Sequence, residues 1–262
     1  MKKISKFFLN VTSVGSILSI ATLNAFQLTV VGQPTPNLDG QPITQPGRVR
    51  FVGPSEDNLS SPNYGRGREG YGRVTCDTVK IKLTALVPES LIGRTVSEYP
   101  VFFFYLPKTE AQLADFYLVD EEEENLIYET TLKINNAPGV MSVSIPANKN
   151  VSPLEAGKNY RWYIKLICDP GDRSIGALAT GIVRRVELSA DILRQLDAAD
   201  PRQKTVIYAE NGIWQDALGT LAAARRANPN DTDLAADWES LLDSVKLGKI
   251  ATEPIVPIEP QP

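Results

Sequence analysis

The chain has 262 residues, of which 22% are charged and none is histidine. Without histidine there is no Ser–His or Cys–His nucleophile pair, no histidine general base and no histidine metal ligand. The 31 acidic residues outnumber the 27 basic residues, which argues against binding to the phosphate backbone of nucleic acids. The composition therefore favours a globular protein that lacks the commonest catalytic groups and binds no nucleic acid.

The N-terminus has the pattern of a secretory signal peptide. Lys2, Lys3 and Lys6 precede an apolar stretch over 7–25 that ends in small residues, as signal peptides do. Polar residues interrupt this stretch, which makes it a poor membrane span. We expect residues 1–25 to be cleaved, with an uncleaved anchor as the alternative. The mature chain would then have no stable membrane span and would reside in the periplasm or outside the cell.

A composition rich in glycine and proline follows the signal segment. Residues 32–72 contain 8 Gly and 6 Pro. The segment has too few apolar side chains for their burial to offset the conformational entropy lost on ordering. The sequence predicts a flexible linker over 26–73. The last residues, 251–262, contain four prolines and are predicted to form a disordered tail.

The two cysteines, Cys76 and Cys168, each lie beside a predicted strand. In an oxidising compartment two cysteines usually form one disulfide. We therefore expect a Cys76–Cys168 bridge, with two buried free thiols as the alternative.

Residues 74–188 carry the pattern of a β-domain. Apolar and polar residues alternate over 79–87, the period of a half-buried strand, and the run 99–106 is continuously apolar, as in a strand buried on both faces. Further strands are predicted at 114–119, 125–133, 140–145, 158–168 and 176–187. Seven short strands separated by turns predict an antiparallel sandwich of the immunoglobulin or fibronectin kind.

A local motif supports this sandwich. The segment Leu154-Glu-Ala-Gly-Lys-Asn-Tyr160 is similar to the turn in which a tyrosine hydroxyl bonds back to upstream backbone, called a tyrosine corner. Tyr160 is thus a predicted structural residue, and Trp162 is expected to pack in or beside the core.

Residues 189–250 show helical periodicity and form the predicted helical unit. Ser189 is a good N-cap, and the segment 206–229 resembles one tetratricopeptide repeat, with Trp214 at its turn. An amphipathic helix with Trp238 follows at 231–247. One repeat cannot bury its apolar face alone, so the unit is expected to dock on the sandwich. The predicted fold class is therefore α+β, a β-sandwich followed by a small docked α-helical unit.

Several motifs occur together in a fixed order. They are a Gly/Arg-rich stretch before Cys76, Leu83-Thr-Ala-Leu-Val-Pro88, Pro100-Val-Phe-Phe-Phe-Tyr-Leu-Pro107, Gly157-Lys-Asn-Tyr-Arg-Trp162, Cys168 and Gly212-Ile-Trp-Gln-Asp-Ala-Leu218. In this order they resemble the cyanobacterial family of unknown function DUF 928, over about residues 66–252. The resemblance implies export and a cyanobacterial origin, but it brings no activity, cofactor or catalytic residue.

Motifs for catalysis are absent from the sequence. There is no G-x-S-x-G nucleophile signature, phosphate loop, dinucleotide fingerprint or paired-cysteine zinc spacing. Only a pair of carboxylates, as in glycosidases, stays open, with Asp115, Asp120, Asp169 and Asp172 as candidates. The sequence predicts no enzyme, no cofactor, no metal and no catalytic residue.

The leading hypothesis is a non-enzymatic envelope protein that binds a protein or peptide on its helical unit. The candidate binding residues are Gln215, Arg225 and Arg226, taken as exposed; in the alternative interpretation Trp214 only packs against its neighbours. A second hypothesis is a sandwich that binds carbohydrate or cell wall. Its exposed aromatic candidates are Tyr117, Tyr128 and Tyr163. A two-carboxylate glycosidase is the third.

Overall fold

Strands and then helices follow one another along the chain. The computed structural model describes residues 49–54, 68–69, 82–122, 124–134, 137–148, 150–257 and 259–260. Within them the strands are β1 (Thr84–Ala85), β2 (Ile92–Thr95), β3 (Val101–Leu106), β4 (Leu113–Asp120), β5 (Leu126–Lys133), β6 (Gly139–Ser144), β7 (Asn159–Ile167), β8 (Leu178–Arg185) and β9 (Glu259–Pro260). The helices are α1 (Ala190–Ala198), α2 (Pro201–Glu210), α3 (Trp214–Ala227) and α4 (Thr232–Asp243). The predicted signal peptide and Cys76 lie outside the described residues, so cleavage and the Cys76–Cys168 bridge stay predictions.

The strands form two sheets packed on one shared core. The smaller sheet has the order β1-β3-β6 and the larger β2-β8-β7-β4-β5-β9. The order β8-β7-β4-β5 opposite β1-β3-β6 is the arrangement of an immunoglobulin-type sandwich. This confirms the predicted α+β fold, in which helices follow a sheet domain. The expectation of a purely antiparallel sandwich is wrong in one place, because β2 pairs with β8 in parallel.

The core between the sheets is centred on Trp162 of β7. Its side chain is fully buried, and its ring lies 5.2 Å from the ring of Phe102 and 6.1 Å from that of Phe116, measured between centroids. Gly181 stands opposite Trp162 on β8. A Cβ at this glycine would come within 2.7 Å of the indole nitrogen. The larger sheet can therefore hold the indole only because position 181 has no side chain.

The turn before β7 contains the hydrogen bond of a tyrosine corner. The Tyr160 hydroxyl accepts a hydrogen bond from the backbone N–H of Glu155 at 2.9 Å. Its ring is 5% exposed, and Gly157 between the two residues adopts φ +80°, a conformation that favours glycine. The hydroxyl is thus the acceptor of this hydrogen bond, and the predicted tyrosine corner is present.

Strand β3 is buried on both faces, as the sequence predicts. Phe102, Phe104 and Leu106 belong to the core between the sheets. Phe103 and Tyr105 point the other way, into a second core with Leu218 and Leu221 of α3. The helices thus form a layer on the outer face of the smaller sheet, and the described residues from 49 onward belong to one compact unit.

Part of the predicted linker is packed, which corrects its boundaries. Val49 is buried in the second core, and the Val52 N–H donates to the Ala209 carbonyl at 3.0 Å. Further on, the Arg68 guanidinium donates to the carbonyls of Val87 and Val245 at 3.2 and 2.7 Å. Hydrogen bonds to carbonyl groups and apolar contacts thus hold Val49, Val52 and Arg68 in place, although the Gly/Pro-rich composition predicts flexibility.

The predicted disordered tail also makes specific contacts. The Val140 N–H of β6 donates to the Pro254 carbonyl at 2.7 Å, and the Val256 N–H donates to the Val140 carbonyl at 2.8 Å. Residues Glu259–Pro260 then pair with β5. The prediction of disorder is wrong for these residues, because proline still accepts hydrogen bonds and is tolerated at a sheet edge. Among the described residues, no helix is long and apolar enough to cross a membrane.

The first prediction concerns the tyrosine corner. Tyr160→Phe removes the acceptor of the Glu155 N–H, and we expect a loss of about 1–3 kcal/mol in the free energy of unfolding. Tyr99→Phe is the control, because Tyr99 also packs against the core but its hydroxyl has no hydrogen bond to the described residues. Equal urea midpoints for the two variants would contradict the corner's role.

Candidate functional site

The helical surface predicted for partner binding is largely occupied by the chain itself. Gln215, at the start of α3, is only 3% exposed, so the expectation of an exposed side chain is wrong. Its amide lies against β2, where a Cβ on Gly93 would come within 3.3 Å of it. Neither amide atom has a hydrogen-bond partner among the described residues. Gln215 therefore belongs to the contact between α3 and the sandwich.

Arg225 and Arg226 lie near the other end of α3. Ten residues separate Arg225 from Gln215, which places them about 15 Å apart along the helix axis. The Arg225 guanidinium lies 5.4 Å from the centroid of the Trp238 ring, a cation–π contact between α3 and α4. Arg226 is exposed and donates to the Ser142 hydroxyl at 3.5 Å. The structure does not bring the three candidates together.

Trp214 and Asp216 join α3 to the sandwich. The Trp214 Nε1–H donates to the Leu86 carbonyl at 2.8 Å, and the indole is fully buried against Phe51, with ring centroids 5.1 Å apart. The Asp216 carboxylate accepts from the Thr95 hydroxyl at 2.8 Å and from the Val96 N–H at 3.1 Å. Burial raises the pKa of Asp216. The first turn of α3 is thus a docking interface within the chain.

A different surface is formed by the outer side of the larger sheet. Along β7 the residues Tyr160, Trp162, Ile164 and Leu166 are buried, and those between them are partly exposed. The strand register places the outward residues of the neighbouring strands beside them. We call this surface the polar face and define it by its polar side chains, Arg94, Asp115, Tyr117, Glu129, Thr131, Arg161, Tyr163, Lys165, Thr180 and Arg184. The register also places Val119, Leu178 and Ile182 on this side of the sheet.

Two tyrosines stand side by side at the middle of the polar face. Tyr117 of β4 pairs directly with Tyr163 of β7. The Tyr117 hydroxyl donates to Asp115 at 3.0 Å, and Asp115 lies two residues back on the same strand face. A ring that reaches its neighbour at i−2 must lie along the sheet, since side chains on one face repeat about every 7 Å. The Tyr117 side chain therefore extends along its strand towards Asp115.

A buried carboxylate fixes this arrangement. Asp115 is 3% exposed, accepts from the Thr131 hydroxyl at 2.8 Å and forms an ion pair with Arg173 from the β7–β8 turn. Burial, and then the hydrogen bond to Asp115, raises the pKa of Tyr117 to about 12. The Tyr117 hydroxyl thus stays protonated at physiological pH and keeps its ring in place.

The third aromatic candidate faces the other way. Tyr128 of β5 pairs with Leu118 and packs against the core, with its ring centroid 6.3 Å from that of Phe116. It does not share a face with Tyr117 and Tyr163.

The remaining candidate carboxylates serve turns. The Asp120 carboxylate accepts from the N–H groups of Glu124 and Asn125 at 2.9 and 3.2 Å. Asp169 accepts from the Gly171 N–H at 2.8 Å, and Asp172 accepts from the Ser174 hydroxyl at 2.6 Å. The hydrogen bonds from Ser174 lower the pKa of Asp172. Asp115 is likewise held by Tyr117, Thr131 and Arg173. All four candidate carboxylates therefore interact with groups of the protein itself.

The fold and these surfaces define a β-sandwich with a docked helical layer and a polar outer sheet face. Residues 64–255 match the family model described as Domain of Unknown Function (DUF928). The chain therefore belongs to the DUF928 family, as the resemblance implies. No curated protein matches the sequence.

The second prediction tests the docking of α3. Trp214→Phe removes the N–H that binds the Leu86 carbonyl, and Trp238→Phe removes an N–H without a hydrogen-bond partner among the described residues. Both changes delete the same volume from a fully buried position. We expect Trp214→Phe to cost about 1–3 kcal/mol more in unfolding free energy, because a buried carbonyl loses its donor. Equal losses in urea denaturation would show that the hydrogen bond contributes nothing.

The third prediction concerns Asp216. Because its pKa in the folded state is raised, the folded state holds the proton more tightly than the unfolded state. Its contribution to stability therefore falls as the pH rises through that pKa. Asp216→Asn keeps an oxygen acceptor without the charge. We expect the variant to be more stable than the wild type near neutral pH and no more stable in acid, as measured by urea midpoints against pH.

The matched control for this measurement is Asp233→Asn. Asp233 lies in the first turn of α4 as Asp216 lies in that of α3, but it is exposed. Asn at this position should not stabilise the protein near neutral pH, since it removes a favourable charge at a helix N-terminus and relieves no burial. A gain of equal size in both variants would rule out burial of Asp216 as the cause.

Proposed function

We propose that the chain is an exported, non-enzymatic binding protein that holds a polysaccharide on its polar face. The observation that carries this proposal is the pair Tyr117–Tyr163, adjacent in register at the middle of the larger sheet. Tyrosine offers a large, rigid and amphipathic contact area at low entropic cost. The apolar faces of sugar rings match such a platform, and their hydroxyls match the polar side chains around it.

The network around Asp115 supports the proposal because it orders the platform in advance. Tyr117 is held through its hydroxyl, and the acceptor Asp115 is itself fixed by Thr131 and Arg173. A ligand that stacks on a fixed ring loses little further conformational freedom of the protein on binding. Export is supported by the N-terminal pattern over residues 1–25, which fits a protein whose ligand is a wall or extracellular polysaccharide.

The second candidate function is peptide binding, at a site other than the helical unit that the sequence suggested. Among the described residues, the stretch 126–131 of β5 pairs on one side only, with β4, because β9 covers only Leu132 and Lys133. An extended peptide can add to such an edge through main-chain hydrogen bonds. The helical positions Gln215 and Arg225 do not offer a comparable surface, since one is buried and the other stacks on Trp238.

The fourth prediction tests the tyrosine platform. We expect Tyr163→Ala to lower the affinity for a soluble polysaccharide about tenfold, as loss of one aromatic contact of somewhat over 1 kcal/mol implies. Tyr117→Phe keeps the ring and should bind more tightly than Tyr117→Ala. The measurement is calorimetric titration of the full chain with oligosaccharides, combined with melting curves to verify folding.

Leu193→Ala is the control for this titration. Leu193 is 49% exposed on α1 and lies outside the larger sheet. Its loss should leave the affinity unchanged. If Tyr163→Ala binds as tightly as Leu193→Ala, the platform is not the binding site. If the chain binds a peptide but no oligosaccharide, the edge of β5 is the better assignment.

A further inference from the structure

The polar face ends in a cleft beside β2 and β8. The cleft has a volume of about 490 Å³ and is lined by Arg94, Ala156, Gly157, Arg184, Val186 and Glu187. We call it the arginine cleft. Its volume lies within the range of small-molecule sites. The turn at Gly157 forms one wall, and a Cβ at this residue would meet no atom within 4 Å, so this wall borders open space.

Two arginines stand side by side in this cleft. Arg94 and Arg184 are register partners on the parallel strands β2 and β8, so their backbones are about 5 Å apart. Each side chain ends in a guanidinium group with several N–H donors. The one acidic lining residue, Glu187, is exposed.

Arg185, the next residue along β8, has a structural role. Arg185 points to the opposite side, where it donates to the Leu154 carbonyl at 2.8 Å and pairs with Glu98 at 3.3 Å. Arg184 is only half-buried and makes no hydrogen bond or ion pair with the described residues. Its charge is therefore available to a ligand in the cleft.

The cleft and the tyrosine pair lie on one surface. Arg184 pairs with Asn159 of β7, four residues before Tyr163, which corresponds to about 14 Å along the strand. Arg161 lies between them on the same face. Basic side chains thus run from the cleft to the aromatic platform, over a length that a chain-like ligand spans and a single sugar does not.

We propose that the arginine cleft is a subsite for the acidic group of an anionic polysaccharide. The group is a carboxylate or a sulfate ester, because guanidinium forks match the oxygens of both. This inference rests on the proposed function, since it names the class of polysaccharide that the polar face binds. The tyrosine pair stacks sugar rings, and the cleft selects chains that carry negative charge.

The test compares ligands of matched length by calorimetric titration of the full chain. The probes are an oligouronate, a sulfated oligogalactan and a neutral oligosaccharide. We expect Arg94→Gln and Arg184→Gln each to lower the affinity for an acidic probe about tenfold, the size of one lost charge-assisted interaction. Affinity for the neutral probe should not change. The acidic probe with the larger loss identifies the group as carboxylate or sulfate.

Two further variants separate this subsite from general charge effects. Arg194→Gln removes the same charge from α1, where Arg194 is 72% exposed and pairs with Asp191, and it should leave all affinities unchanged. Arg184→Lys keeps the charge but loses the fork, so it should bind acidic probes more weakly than the wild type and more tightly than Arg184→Gln. Melting curves verify that each variant is folded.

The possible outcomes distinguish the two proposals. If Tyr163→Ala weakens every probe while the arginine variants change none, the subsite is overturned and the proposed function stands. If Arg194→Gln matches Arg184→Gln, or the arginine variants weaken the neutral probe equally, the subsite is also overturned. If none of the three probes binds the wild type, the proposed function fails and the subsite fails with it.

Discussion

The rest of the structure depends on the burial of β3 on both faces. A strand with consecutive aromatic residues at 102–105 has apolar groups on its two sides, because successive side chains point to opposite faces. One face is covered by the larger sheet and the other by α3. Without the helices, Phe103 and Tyr105 would lie on an exposed apolar sheet surface, which favours aggregation. The helical unit is therefore a required layer of the fold.

This requirement limits which surfaces are free for the proposed binding. The apolar faces of the helices are turned towards the smaller sheet, and the first turn of α3 is bound to the sandwich through Trp214 and Asp216. The packed pieces at 49–54 and 254–257 add further contacts around the same layer. On the larger sheet the outer residues alternate with the buried ones and include the polar side chains that define the polar face. Selection for binding can act on this face without loss of the core.

The sequence predicts those parts of the fold in which a local pattern determines burial. Such patterns are the alternation along β7, the apolar run of β3 and the Leu154–Tyr160 turn. The turns that contain carboxylates also follow from local chemistry. The sequence also indicates Tyr117 and Tyr163, but it cannot place them side by side, because register depends on partners distant in the chain. It assigns Tyr128 to the same class although that ring faces the core.

Other features depend on tertiary contacts that leave no local signal. Strand β2 has four residues, contains Gly93 and follows Leu91 at φ 66°, so no alternation marks it. Its parallel pairing with β8 is what brings Arg94 beside Arg184. The Gln215 side chain is polar and follows a tryptophan, which resembles an exposed helix start, but the docking of α3 buries it. In each case the error comes from treating a long-range contact as a property of the local sequence.

The distribution of charge separates the two sides of the molecule. After residue 186 the chain has 13 acidic and 7 basic residues, and all of them except Glu187 belong to the helical unit and the tail. The polar face has the opposite balance, with four basic and two acidic residues in its definition above. Within it Asp115 is already paired with Arg173, and in the helical unit the buried Asp237 is paired with Arg202. Asp115 and Asp237 thus have their own cations, whereas Arg184 has no acidic partner among the described residues. The chain as a whole is acidic, but Arg184 lies at one end of the larger sheet. Its attraction for anions acts mainly there, because charges farther apart than a Debye length of about 10 Å are largely screened.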